Sequence, residues 1–451
     1  MLLVAEIGST TTMVGAFAGI ETDEPRLIGQ GQAPTTVSLG DVTIGLQQAL
    51  AALRAELSTP IPDDVPIYAS SSAAGGLKMT VHGLVYDMTV KAAKEAALGA
   101  GAIVRLVTAG PLKVHDLTKI EGIRPNMIML AGGVEYGESE TALANAAALG
   151  QLSFRVPVLY AGNSAIRTEI EAILTAAGFP VRSVANVYPR IDELQVEPAR
   201  RAIQALFEEN IVHAPGMEKI RSLVTGPIMP TPGAVMQVTR LLAEEIGDLV
   251  VMDIGGATTD VHSVTEGSEQ YRKLTVYPEP TAKRTVEGDL GLYVNAARVA
   301  ELVGYERLDD EFGRPMRQLV HDLPPIPTTP TEVALAETLA KAAAEAAMGR
   351  HAGHLRYLYG PSGRVTLVEG KDLSQVRWLV GTGGALTRLP SRRDILATLR
   401  RSKSGQELWP SPEAAILIDH HYIMADCGLL ATVHPRAALR LMRASLAAEE
   451  R

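Results

Sequence analysis

One eleven-residue pattern occurs twice in this chain. Residues 4–14 read Val-Ala-Glu-Ile-Gly-Ser-Thr-Thr-Thr-Met-Val, and residues 251–261 read Val-Met-Asp-Ile-Gly-Gly-Ala-Thr-Thr-Asp-Val. Six of the eleven positions are identical at an offset of 247, and Glu6 and Asp253 place a carboxylate at the same point in each copy. Each copy is an apolar strand, an acid, glycine with small hydroxyl residues, and a second apolar strand. Such a hairpin offers backbone N–H groups and hydroxyls to an anion, with a carboxylate beside it for a divalent cation. Two facing copies would grip a nucleoside triphosphate from both sides.

The residue chemistry supports that use. Gly255 and Gly256 let the backbone approach phosphate oxygens, and Ala257, Thr258 and Thr259 continue the loop with two hydroxyls. Asp253 would hold a metal-bound water, because Mg²⁺ takes one or two carboxylates with water and substrate phosphates. In the first copy Gly8, Ser9, Thr10 and Thr11 would hold the terminal phosphate, and Glu6 would reach Mg²⁺ through water. Gly381-Thr382-Gly383-Gly384 follows an apolar strand and would let an adenosine lie flat against the backbone. Residues 285–292 put Glu287 and Asp289 among glycines: one of them would touch ribose, metal or the attacking water, or Asp289 would merely cap a helix.

A second pair of segments, Ile128-Met129-Leu130-Ala131-Gly132-Gly133 and Leu379-Val380-Gly381-Thr382-Gly383-Gly384, recurs at an offset of 251. Together the pairs predict an α/β protein of two related halves, residues 1–230 and 231–451, each opening on a phosphate hairpin and later supplying a Gly-Gly strand end. Strands are expected at 2–7, 13–18, 26–32, 66–71, 126–131, 156–161 and 181–187. Helices are expected at 41–57, with Asp41 as N-cap, and at 89–101, 138–149, 164–177, 332–348 and 435–448. Residues 225–233 read as a turn-rich crossing and the proline-rich run 323–330 as a surface connection. His351 and His354 are expected on a solvated helix end.

Bulk properties exclude several classes. The formal net charge of −9, without a basic stripe and interleaved aromatics, argues against a nucleic-acid partner. The single cysteine, Cys427, rules out an internal disulfide and any cysteine-built cluster or zinc site within one chain. The N-terminus lacks a basic leader, and no uncharged run reaches the eighteen or so residues of a membrane span, so the expectation is a cytoplasmic protein with no membrane partner. Asp419-His420-His421 with Asp426 matches no common zinc spacing, and adjacent histidines on a strand point to opposite sides.

Two phosphate hairpins and a late Gly-x-Gly-Gly turn, in that order, resemble the ATPase superfamily of actin, sugar kinases and heat-shock chaperones. More narrowly, residues 6–11, the Ser-Ser-Ala-Ala-Gly-Gly-Leu-Lys-Met block at 71–79, Thr-Val-Glu-Gly-Asp-Leu-Gly at 285–291, and Tyr422-Ile423-Met424 with Gly428-Leu429-Leu430 resemble glutamate mutase accessory proteins of the MutL or GlmL type. The resemblance implies two RNase H-like halves around a nucleotide cleft, ATP or ADP with Mg²⁺, and slow ATP hydrolysis serving a chaperone-like task. The implied partner is an adenosylcobalamin-dependent mutase, from which damaged cobalamin is released. Ala257 departs from the superfamily's usual third glycine, so hydrolysis is expected to be slow or altered. The rival readings are a small-molecule kinase and a filament-forming actin relative. Dehydratase activators of the same superfamily need more cysteine than this chain carries.

Overall fold

A computed structural model describes residues 1–36, 39–62, 64–73, 77–211, 216–217, 219–226, 228–360, 363–402 and 404–447. Of the motif residues above, 74–76, 227 and 448 lie outside the described residues. β1 (Leu2–Ile7) and β2 (Thr11–Ala18) form the first hairpin, and β3 (Arg26–Pro34) pairs antiparallel with β2. The helix Val42–Glu56 begins as expected, with Asp41 accepting the Thr43 N–H at 2.9 Å. β4 (Ile67–Ser71) then lies parallel to β1.

The chain next builds a separate, wholly parallel sheet from β5 (Lys78–Gly83), β6 (Ile103–Ala109), β7 (Met127–Leu130), β8 (Val158–Tyr160) and β9 (Val181–Ser183), in the order β6-β5-β7-β8-β9. β10 (Ile228–Pro230) returns to the first sheet, whose order becomes β10-β4-β1-β2-β3. The later part supplies β11 (Leu249–Ile254), β12 (Thr259–Val264), β13 (Ala282–Glu287), the outlying hairpin β14 (His354–Gly360) and β15 (Gly363–Glu369), then β16 (Trp378–Thr382) and β17 (Ala415–Ile418). Its main sheet runs β13-β12-β11-β16-β17.

The two mixed sheets therefore share one topology. In each, the first strand pairs antiparallel with the second and parallel with the fourth, and the last strand lies parallel beyond it. This is the two-part α/β architecture of the actin-like ATPases. The central strands β1 and β11 are apolar on both faces because both faces are covered. One core joins the two sheets: Leu2, Val4 and Phe17 pack with Val235 and Leu242 of the helix Thr231–Ile246, with Val251 and Val380, and with Leu429 of the helix Met424–Leu430. These two helices cross so closely that a Cβ on Gly428 would lie 1.9 Å from the Ala234 carbonyl oxygen.

Four expectations change. The turn-rich crossing expected at 225–233 is instead the strand β10 followed directly by the helix that starts at Thr231. The Gly132-Gly133 strand end does not match Gly383-Gly384, because β7 belongs to the parallel sheet; by topology the counterpart of β16 is β4, ending in Ser70-Ser71. Gly-Gly after an apolar strand is too common a signal to identify equivalent strands. The expected strand at 181–187 stops at Ser183, since pairing with β8 covers only Val181–Ser183. His351 is fully buried rather than solvated, its ring bonded to Ser263 Oγ at 2.8 Å and Thr285 Oγ1 at 2.9 Å. No helix among the described residues is long and apolar enough to cross a membrane.

Candidate functional site

The two hairpin corners have the same local geometry. Gly8 N–H donates to the Thr11 carbonyl at 2.9 Å, and Gly255 N–H to the Thr258 carbonyl at 3.0 Å, closing matching turns. Both corners face one cavity of about 400 Å³. A Cβ on Gly256 would lie 3.6 Å from Thr10 Oγ1, so the corners approach to contact distance across it.

Each corner is braced from behind through its carbonyls. Thr35 donates from Oγ1 to the Gly8 carbonyl and from its N–H to that of Thr10, at 2.9 and 3.0 Å. In the second corner Leu292 N–H reaches the Gly255 carbonyl, Tyr293 and Val294 N–H both reach that of Gly256, and Asn295 Nδ2 reaches that of Ala257 at 2.9 Å. A Cβ on Gly291 would strike the Ala257 carbonyl at 2.3 Å, which explains the glycine in the 285–291 block. That block serves as a brace for the second corner.

The predicted residues divide into two groups. Glu6, Gly8, Ser9, Thr10, Thr11, Asp253, Gly255, Gly256, Ala257, Thr258 and Gly384 line the cavity. Gly381, Thr382 and Gly383 sit behind it. Gly383 has φ +82°, and a Cβ there would lie 2.3 Å from Asp253 Oδ1, so glycine lets the turn press on that carboxylate. Thr382 Oγ1 donates to Asp419 at 3.0 Å. Glu287 is also outside the lining: Arg350 binds it at 2.6 Å and grips Asp289 with two bonds of 2.7 and 2.9 Å.

The cavity is strongly acidic at one end. Burial, then the Asp419 charge, lifts the Glu6 carboxyl from 4.5 to about 7, against a hydrogen bond from Tyr422 that lowers it. Burial, then Asp260 and Glu6, holds the Asp253 carboxyl well above its ordinary value. Like charges crowded in a low-dielectric site favour protonation or a compensating cation. Among the described residues no group of three or more His, Cys, Asp or Glu is arranged to hold a metal by itself. The donor set suits a hard cation that keeps water and phosphate ligands.

Several lining residues escaped the sequence reading. The run at 323–330 is the expected surface connection, joining the helices Arg317–His321 and Pro330–His351, but its residues 323–327 also line the cavity, as Gly384 and Ala385 do. Tyr422 lines the acidic end at φ +50°, and Asp419, fully buried, accepts the N–H groups of Ile423 and Met424 at 3.2 and 2.9 Å. Arg388 places a cation at the cavity and bonds Gln32 across it at 2.9 Å. A proline run and an isolated tyrosine carry no spacing signal; the Tyr422-Ile423-Met424 motif was the available clue.

Against known proteins, the family described as MutL protein matches residues 2–446. The chain belongs to the MutL family. It is 36% identical to Protein MutL of Clostridium tetanomorphum over 456 residues, 98% of each chain. The resemblance of its motifs to glutamate mutase accessory proteins of this type is thereby borne out along the chain. Among solved structures it is similar to a nucleotide-free diol dehydratase-reactivating factor, at 10% identity and a TM-score of 0.39, over 96% of this chain and all of that one. A nucleotide-free acetone carboxylase gives 13% identity and the same TM-score, over 96% and 70%.

Proposed function

We propose that this MutL-family chain is an ATP-dependent accessory factor that reactivates an adenosylcobalamin-dependent mutase acting on glutamate or a related amino acid. The observation that carries the reading is that two equivalent acid-and-glycine corners line a single cavity, with Gly256 facing Thr10 across it. Residues 1–230 and 231–451 are the halves that close on the nucleotide. With the corner carbonyls engaged from behind, the Gly8 and Gly255 N–H groups closing the turns, and the Ser9 and Thr258 hydroxyls donating to the Ser72 carbonyl and Asp260, the amides of Ser9, Thr10, Gly256 and Ala257 and the Thr10 and Thr11 hydroxyls are the donors that bind phosphate oxygens. Glu6 and Asp253 hold Mg²⁺ through water. When bound, the ion offsets phosphate charge.

Gly384 and Ala385 take one face of the adenosine, and the run at 323–327 takes the other. Gly381, Thr382 and Gly383 act indirectly, by fixing Asp253 and Asp419. Glu287 steadies the brace through Arg350 and does not touch the nucleotide. The methyl group of Ala257 narrows the second corner, consistent with slow turnover.

A triphosphate held by both corners favours the closed state, and hydrolysis removes that differential contact. Coupling of this kind is typically ~1–3 kcal/mol, enough to bias a mutase toward releasing damaged cobalamin. The test measures ATP turnover with and without the purified mutase, and recovery of an inactivated mutase on adding chain, Mg-ATP and fresh coenzyme. ATP-dependent recovery is expected. Recovery that is equal without ATP, or phosphate transferred to a metabolite, would reject the reading.

A further inference from the structure

The parallel sheet at residues 78–183 takes no part in the nucleotide cavity. Its order, β6-β5-β7-β8-β9, is that of a doubly wound sheet in which loops after the strands' carboxyl ends meet at the switch point between β5 and β7. Every exposed large apolar side chain among residues 78–191 lies on this edge: Val85 and Tyr86 after β5, Val114 after β6, Tyr136 after β7 and Ile191 after β9, from 42 to 84% exposed.

Neighbouring loops are bonded to one another, and Ala131 N–H bonds the His82 carbonyl at 2.8 Å where the ends of β7 and β5 meet. Gly110 N–H bonds the Gly83 carbonyl at 2.8 Å, Tyr136 N–H bonds Asn163 Oδ1 at 3.1 Å, and Glu135 N–H bonds the Pro189 carbonyl at 2.9 Å. Two of the side chains are presented by costly backbone. Tyr86 opens a π-helical turn, Tyr86–Val90, a rare form frequent at functional sites. Tyr136, the most exposed, has φ +59°, a left-handed conformation that an aromatic residue rarely adopts. The polar groups beneath the rim are already engaged: His82 with Thr80 and Thr108, Asn145 with Gly110 and Leu112, and Asn186 with Gly133 and Tyr188. A small polar ligand would find those groups taken, whereas a protein surface needs only the apolar rim.

We infer that this edge is where the partner protein docks, through a surface of apolar residues ringed by lysine and arginine. The inference rests on the accessory-factor reading and names the face it uses. The charge requirement follows from the rim's exposed acids, Asp87, Glu138, Glu140, Asp192 and Glu193, against Lys113 and Arg190. A second copy, with a net charge of −9, is poorly matched to such a rim.

The test compares the full-length chain with a Tyr86→Gln, Tyr136→Asn double variant and a Glu138→Lys, Glu140→Lys double variant. Asparagine tolerates the left-handed conformation at 136. Association with the purified mutase is read by biolayer interferometry, and ATP turnover is read without the mutase. Both variants are expected to keep basal turnover and to bind the mutase at least tenfold more weakly. The acid-reversed variant is also expected to lose the salt dependence of association. If the unaltered chain does not bind the mutase, the accessory-factor reading fails and takes this inference with it. If it binds and both variants bind equally well, the docking edge alone is wrong.

Discussion

Arg284 grips one carboxylate oxygen of Asp260 with two bonds, from Nη2 at 2.6 Å and Nε at 3.1 Å. Its remaining nitrogen, Nη1, donates to the carbonyls of Leu98 and Ala102 at 3.0 and 3.1 Å. Asp260 belongs to the second phosphate hairpin and lines the cavity, while Leu98 and Ala102 lie in the segment leading to β6. One buried guanidinium thus ties the second corner to the earlier part of the chain.

Removing it leaves the buried Asp260 carboxylate with the Thr258 hydroxyl but no cation, and takes one donor from each of the Leu98 and Ala102 carbonyls. Arg284→Met is expected to cost about 3–5 kcal/mol, the usual range for breaking one partner of a buried pair. Arg284→Lys should recover only part of this, because an ammonium cannot supply the same fork of donors. Thermal denaturation of the three proteins checks the order; an unchanged midpoint for Arg284→Met would contradict it.

Asp253 is held well above its ordinary pKa by burial and by neighbouring acids, so it is there at a cost to the fold. Asp253→Ala is expected to abolish Mg-ATP hydrolysis and the nucleotide-induced rise in melting temperature, while the nucleotide-free protein melts no lower than the unaltered chain. Glu6→Gln should act in the same direction with a smaller effect. Normal turnover in Asp253→Ala would refute its assignment to the metal.

Glu6 gives a pH signature. Its carboxyl titrates near 4.5 unfolded and about 7 folded, so the folded state holds the proton more tightly. Stability is therefore expected to fall as pH rises from about 4.5 to about 7, and to level off above that. The rise in pKa corresponds to roughly 3 kcal/mol at most. In magnesium-free buffer Glu6→Gln should lose less stability between pH 5 and 8 than the unaltered chain. Parallel curves for the two would show that Glu6 does not titrate as described.

Gly383→Ala tests the support behind Asp253. The added methyl would meet Asp253 Oδ1 at 2.3 Å and the Ile254 N at 2.7 Å in a left-handed conformation. Left-handed backbone costs roughly 1–2 kcal/mol and overpacking a further 1–3 kcal/mol. The expected result is a lower melting temperature with weakened Mg-ATP binding; a variant equal to the unaltered chain in both would mean that the turn is free to move.

Sequence reading recovered most of what has a short-range cause. The corners were legible because an anion site needs glycine, hydroxyl and acid at fixed spacing, and the chain shows that spacing twice. Asp41 was legible as a cap because its role depends on Thr43, two residues on. The pairing of β4 with β1 and of β16 with β11 was not, since strand equivalence is set by register across the sheet and not by the Gly-Gly that follows. Arg284 reaches residues more than 180 positions away, and the proline run acquires its role only because the fold brings it to the same cavity as Gly384. Glu287 carried the right residue type in a suggestive loop, but Arg350 claims it from a distant helix.

The central claim is tested most directly by titrating ATP and ADP into the protein with magnesium in a calorimeter, alongside Gly256→Val and Thr10→Val. The expected result is one nucleotide site per chain, weakened by at least tenfold when either corner is altered. No heat of association in the unaltered chain, or binding that survives a change at one corner undiminished, would contradict a nucleotide clasped from both sides.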